Sequence, residues 1–190
     1  MIAQRPGPLG PDATIGILGG GQLGRMLALA AARLGFKSHV FCPDSHSPAF
    51  DVVRSVTEAD YLDFAALDRF AADVDVVTYE FENVPAETAT FLSARKPVLP
   101  DPKVLAITQD RLTEKEFVKG LGIGTAKFAA VDSPQGLTAA LASVGQPAVL
   151  KTRRFGYDGK GQSMIRNGGD PSAIFHGLGG QRIIDWPLPS

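Results

Sequence analysis

Apolar residues follow alternating rhythms along this chain. Thr14–Leu18 (TIGIL) is a short apolar run that ends in glycines. From Gln22 to Leu34 the spacing turns helical, with Leu23, Met26, Leu27, Ala30 and Leu34 on one stripe and Gly35 as a C-terminal cap. Ser38–Phe41 predicts a second strand. Strand, glycine turn, helix and strand together open a parallel α/β sheet. The alternation continues with a helix over Ala65–Ala72, a β-branched strand over Val74–Tyr79, a helix over Pro85–Ala94 and a short strand at Pro97–Leu99. The segment PDPKVL (100–105) then marks a boundary, because its prolines interrupt both helix and sheet.

A second unit follows. Asp110–Lys119 predicts an amphipathic helix with Leu112, Phe117 and Val118 on its apolar side. Phe128–Val131 reads as a strand. Ser133–Val144 reads as a helix, with Ser133 as cap, Pro134 at the first position and Gly145 ending it. Ala148–Lys151 predicts a strand, FGYDGKGQ a glycine-rich loop, and Met164–Arg166 the return strand of a hairpin. No internal repeat or low-complexity tract interrupts this order.

Composition narrows the function classes. The chain has 190 residues, 44% hydrophobic and 21% charged, with a formal net charge of −1. That balance is ordinary for a soluble globular protein and argues against a nucleic-acid partner held by a basic face. A single cysteine, Cys42, rules out an intramolecular disulfide framework and favours a cytoplasmic location. No apolar run has the length of a membrane span. The first 12 residues are rich in Pro and Gly and read as a disordered leader.

Two glycine motifs carry the candidate chemistry. The first, Gly19-x-Gly21-x-x-Gly24, lies between a strand and a helix, the setting a dinucleotide fingerprint requires. Asp44 stands 20 residues beyond Gly24, where such a fold places a ribose-binding acid. The same turn also suits a single phosphate met by helix N–H groups, with Gln22 and Arg25 as donors, or plain helix–strand packing. The second, Lys151-Thr-Arg-Arg-Phe-Gly-Tyr-Asp-Gly-Lys-Gly-Gln162, sets Lys151 at a strand end before Gly156, Gly159 and Gly161, with Lys160 inside the loop. Backbone N–H groups and two lysines there suit phosphates. It is not a Walker A loop, since no G-K-[ST] leads into a helix.

This second loop resembles the phosphate loop of the N5-carboxyaminoimidazole ribonucleotide synthetase family, ATP-grasp enzymes of purine biosynthesis. GGGQLGRM, TYEFENV (78–84) and QDRLTEK (109–115) resemble further motifs of that family in the same order, so the match spans about residues 14–164. The resemblance implies an α/β fold. It would comprise a Rossmann-like pre-ATP-grasp domain over 13–104 and a small ATP-grasp subdomain over 105–181, with the large ATP-grasp domain absent. It implies ATP-dependent carboxylation of 5-aminoimidazole ribonucleotide by bicarbonate. By the same resemblance, Arg111, Lys151 and Gly156, Tyr157, Asp158, Gly159, Lys160, Gly161 and Gln162 would bind ATP. Lys151, Lys160 and Asp158 would be the catalytic set. Gly21, Gln22 and Leu23 would cradle the ribonucleotide phosphate, with Tyr157 and Asp158 also facing that substrate. Glu80 and Glu82 follow the third strand, and one of them would meet the ribose or the amine. Both acids would share a side if the chain stays extended through Phe81.

The sequence also departs from the family. Family members run to about twice this length, and the carboxylates that hold Mg²⁺ lie in the part without a counterpart here. No metal site is therefore expected in this chain. The pattern leaves the family near Gln181, and RIIDWPLPS over 182–190 reads as an aberrant tail. A shortened chain with negligible turnover is the expectation. Family members are often dimers, which makes a second copy a candidate partner. An NAD(P)-dependent oxidoreductase domain and a non-catalytic ribonucleotide-binding remnant stand as alternatives.

Overall fold

A computed structural model describes residues 7–156, 160–166, 170–178 and 183–187. The chain divides into two compact units, Met1–Ala106 and Ile107–Ser190. The expected leader lies partly outside the described residues, at 1–6.

In the first unit, β1 (Thr14–Leu18), β2 (Lys37–Cys42), β3 (Ser55–Glu58) and β4 (Val76–Tyr79) form a parallel sheet in the order β3-β2-β1-β4. The helices α1 (Gln22–Arg33), α2 (Phe64–Ala72) and α3 (Ala86–Ser93) alternate with these strands. Neighbouring side chains on a strand point to opposite faces. Leu18 accordingly joins Phe41, Leu67, Phe70, Val77, Leu92 and Leu105 in one core, while Ile17 joins Ala28, Val40, Cys42 and Ala49 in another. Both faces of the sheet are thus covered, as parallel sheets require. β3 has only four residues, and its Val56 is 40% exposed, so no apolar run announced it. The strand expected at Pro97–Leu99 reduces to a single bridge between Val77 and Val98.

The burial of α1 corrects the sequence reading. Its buried residues are Gly24, Ala28 and Ala31, whereas Leu23, Met26, Leu27 and Leu34 are exposed. The small residues allow the helix backbone to lie close against the turn. A Cβ on Gly24 would come within 2.7 Å of the Gly19 carbonyl oxygen. Large side chains could not occupy that face, so the apolar stripe points to solvent.

The prolines at 100 and 102 do not exclude a helix either. Pro102 opens α4 (Pro102–Thr108), where its missing N–H is no loss, and Asp101 accepts the Lys103 N–H at 2.9 Å.

In the second unit, β5 (Ala129–Val131), β6 (Ala148–Thr152), β7 (Gln162–Ile165) and β8 (Ile183–Pro187) form an antiparallel sheet in the order β5-β8-β6-β7. The helices are α5 (Arg111–Gly120), α6 (Pro134–Val144) and α7 (Pro171–Gly177). Val131, Leu137, Leu141, Leu150, Ile165 and Phe175 form the core. Ser133 caps α6 as expected, accepting the Gly136 N–H at 3.0 Å. α7 was not anticipated, although Asp170 followed by Pro171 is a cap-and-start signal, and Asp170 accepts the Ser172 N–H at 3.0 Å. β8 forms within the stretch read from the sequence as an aberrant tail, and it pairs with both β5 and β6. Along α5 no residue is buried, so its apolar side is only partly covered. Among the described residues, no helix is long and apolar enough to cross a membrane.

Candidate functional site

The first glycine turn sits at the carboxyl ends of β1 and β4, which run side by side with Leu18 opposite Tyr79. Open α/β sheets place ligands at such strand ends. The residue after β4 is Glu80, whose backbone N–H donates to the Leu18 carbonyl at 3.2 Å. Its side chain turns into the glycine loop, where Oε1 accepts the Gly21 N–H at 3.2 Å. Gly21 is the N-cap of α1, so this amide is one that a bound anion would use. A Cβ on Gly19 would lie 2.4 Å from Glu80 Cγ, and Gly19 has φ of +112°. Only glycine lets the acid approach so closely. Burial pushes the Glu80 carboxyl above its ordinary value; the Gly21 N–H opposes this and the charge of Glu82 adds to it.

The two acids therefore differ. A turn over residues 80–84 replaces the extended chain that would have put them together, and Glu82 is exposed. The donors expected for a phosphate are also differently used. Arg25 donates to the Pro48 carbonyl at 2.9 Å and pairs with Asp51 at 3.2 Å, which staples α1 to the 48–52 turn. Gln22 and Leu23 are exposed on the first turn of α1. Asp44 is exposed, with Cys42 Sγ 3.7 Å from its Oδ2.

The second glycine motif lies in the second unit. Lys151 on β6 is paired across the ladder with Gln162 on β7, so the two flank the loop from neighbouring strands. The Thr152 N–H donates to the Gly161 carbonyl at 2.8 Å and closes the loop base. Gly161 has φ of +67°, and a Cβ there would lie 2.5 Å from Thr152 Oγ1. Gly156 also packs on that hydroxyl, so both ends of the loop gather on the buried Thr152. Arg111 reaches in from α5, its Nη2 donating to the Gly156 carbonyl at 2.5 Å. Lys115 stands one turn along α5, and with Arg111, Glu114, Val118 and Thr125 it lines a cavity of about 240 Å³. The Lys151 ammonium is pushed below its ordinary value, first by burial and then by the charges of Arg111 and Lys115. Cations thus converge at the head of a glycine loop. Lys160 is exposed at the loop's far end. Tyr157, Asp158 and Gly159 lie outside the described residues.

The sequence reading missed Lys115, although its spacing from Arg111 puts both on one helical face. It also missed Gln109, Asp110, Arg153 and Arg154, which brace this loop. Asp110 caps α5 by accepting the Leu112 and Thr113 N–H groups at 2.9 and 3.3 Å. The same carboxylate takes a two-pronged bond from Arg153, with Nε at 2.9 Å and Nη2 at 2.6 Å. Burial works against the ionised Asp110, but the bonds from Arg153, Thr113 and Leu112 and the Arg153 charge outweigh it and hold its carboxyl below the ordinary value.

Residues 12–109 match the model of the ribonucleotide synthetase preATP-grasp domain, and residues 116–184 that of the ATP-grasp domain. Over 154 residues the chain is 51% identical to an N5-carboxyaminoimidazole ribonucleotide synthase of Brucella melitensis, covering 81% of this chain and 42% of that protein. The chain belongs to the N5-carboxyaminoimidazole ribonucleotide synthetase family. The Pseudomonas aeruginosa synthase of this family is 49% identical over 165 residues, covering 87% of this chain and 46% of its own. A crystal structure of the Staphylococcus aureus N5-carboxyaminoimidazole synthetase complexed with ADP superposes with a TM-score of 0.90. It is 36% identical, covering 95% of this chain and 48% of that one. The chain thus spans less than half the length of these family members. Among the described residues, no group of three or more His, Cys, Asp or Glu side chains could hold a metal ion. The described residues therefore do not fit a magnesium site.

Proposed function

We propose that this chain carries the nucleotide-phosphate grip and a ribonucleotide subsite of the family reaction, the ATP-dependent carboxylation of 5-aminoimidazole ribonucleotide. In that reaction a bicarbonate oxygen attacks the γ-phosphorus of ATP, giving carboxyphosphate and ADP. Carboxyphosphate breaks its C–O bond to release phosphate and CO₂. The substrate's exocyclic amine then attacks CO₂ and loses a proton, leaving an N5-carbamate.

The observation that carries the reading is the cluster of Arg111, Lys115 and Lys151 around the base of the Gly156–Gln162 loop. Cations held close in a partly buried place repel one another, and a polyphosphate relieves that repulsion. Arg111 and Lys151 are the phosphate contacts in this reading. Gly156 and Gly161 keep the loop base narrow. Lys160 and Gln162 are further phosphate contacts in this reading, with Lys160 adding charge; Tyr157, Asp158 and Gly159, the remaining candidates, lie outside the described residues.

At the first glycine turn, Glu80 is the acid that meets the ribonucleotide. Its carboxylate holds the Gly21 N–H, and a negative group in that position disfavours the close approach of a pyrophosphate. A ribose hydroxyl, which donates to a carboxylate, suits the place, with Gly21, Gln22 and Leu23 forming the rim. Turnover by the chain alone is expected to be negligible, because the described residues gather no carboxylate set for Mg²⁺.

Equilibrium titrations with ATP, 5-aminoimidazole ribonucleotide and NADH test the reading. Saturable binding of the first two supports it. Binding of NADH without either of the others overturns it.

A further inference from the structure

Arg111 and the glycine loop are separate in sequence, and each needs to be fixed relative to the other. Two of the side-chain links that fix them come from residues with no part in gripping phosphate. Gln109, Asp110 and Arg111 face Arg153, Arg154 and Gly156 as three successive stitches. Arg154 Nη2 donates to Gln109 Oε1 at 3.0 Å, Arg153 bonds Asp110 with both prongs, and Arg111 Nη2 donates to the Gly156 carbonyl. A fourth bond joins the backbones, with the Arg111 N–H donating to the Arg153 carbonyl at 3.0 Å. The Asp110–Arg153 pair is the middle stitch, with side chains 20% and 15% exposed.

Two consequences follow from the geometry. First, Arg153 spends its charge on Asp110, so it is not one of the cations offered to a ligand. Second, Asp110 is both the cap of α5 and the anchor of the loop, so the start of α5 and the start of the loop move as one piece. Arg111, the next residue, inherits its direction from that anchor. A planar guanidinium fork held by both carboxylate oxygens fixes orientation as well as distance.

We propose that Asp110 and Arg153 are positioning residues, a latch that sets the Arg111 guanidinium and the start of the loop at Gly156 in the register needed to receive a nucleoside polyphosphate. The proposal rests on the nucleotide reading given under Proposed function. It predicts that the latch acts through its charge pairing and not through capping alone.

Asp110→Asn separates the two, since the amide oxygen still accepts the Leu112 and Thr113 N–H groups but the ion pair is lost. Arg153→Gln removes the pair from the other side. Ser133→Ala, which removes the α6 cap, is the control for a change in stability alone. Hydrogen exchange of the ligand-free chain and titration with ADP are the two readouts. In Asp110→Asn, the Arg111 and Thr152 amides, which donate to the Arg153 and Gly161 carbonyls, should exchange at least tenfold faster and the ADP dissociation constant should rise about tenfold. The double variant Asp110→Asn/Arg153→Gln should bind no worse than either single one, because both break the same pair. Asp110→Glu, which keeps the charge, should recover most of the affinity. Ser133→Ala should lower the melting temperature and leave ADP affinity within twofold. Unchanged exchange in Asp110→Asn overturns the latch whatever the parent binds. ADP affinity within twofold of the parent in both single variants overturns its positioning role. A parent chain that binds no ADP overturns the nucleotide reading itself, and with it the role given to the latch.

Discussion

Gly24→Ala sets two effects of opposite sign against each other in one helix. Alanine is the better helix former by about 1 kcal/mol in a helix interior, so an unconstrained α1 would gain stability. The structure denies it that freedom. A Cβ on Gly24 would lie 2.7 Å from the Gly19 carbonyl oxygen, and this neighbour is backbone within a tight turn. Relief requires α1 to move away from the β1 turn, which loosens the contacts of Ala28 and Ala31 as well. Overpacking of this kind costs about 1–3 kcal/mol, so it exceeds the gain in propensity by about 1 kcal/mol. For a unit of this size, such a loss lowers the melting temperature by about 4–8 °C. Thermal and urea unfolding of the first unit read it directly. Gly120→Ala is the control, since a Cβ there meets nothing within 4 Å. A Gly24→Ala variant more stable than the parent would refute the close approach of helix and turn.

Glu80 carries a carboxyl whose value is raised by burial, so the folded chain holds its proton more tightly than the unfolded one. Stability should therefore fall as pH rises from the ordinary glutamate range through the folded value, and Glu80→Gln should flatten that slope in pH-dependent urea unfolding. His39 behaves oppositely: burial lowers its value, Asp73 partly opposing, with the ring edge-on to Phe70 at 4.9 Å and Nε2 2.8 Å from Thr57 Oγ1. The unfolded chain takes up that proton first, so stability should drop as pH falls below the ordinary histidine value of about 6.5, and the His39 ring resonances should titrate below it. Phe70→Ala removes a fully buried ring that touches His39 and Phe41, and should cost about 3–5 kcal/mol in the same unfolding assay.

Strand and helix order was legible because both periods are printed in the residues: TIGIL and VDVVTY as apolar runs, Ser133-Pro134 and Gly145 as helix punctuation. The burial of α1 was not legible, because pattern reading assumes that large apolar residues face the core. Here close backbone approach selects Gly24, Ala28 and Ala31 instead. β3 and β8 escaped for different reasons. β3 is a short strand with alternate residues in solvent, and β8 lies within RIIDWPLPS, a stretch read only as a departure from the family pattern. At the site, Lys151 and the glycine loop announced phosphate chemistry by their residue types, whereas Arg111 came only with the family resemblance. Motif reading could not choose between Glu80 and Glu82, which depends on a turn that begins at Glu80. It also passed over Asp110 and Arg153, whose role exists only once α5 and the loop are brought together.

In the proposed function, Arg111 and Lys151 grip the phosphates of an adenine nucleotide in the second unit. Calorimetric titration of the chain with ADP, beside Lys151→Ala, measures this grip. Saturable one-to-one binding by the parent is expected, with a loss of at least tenfold in affinity for Lys151→Ala at unchanged melting temperature. Equal affinity in parent and variant, or no saturable binding by the parent, would contradict it.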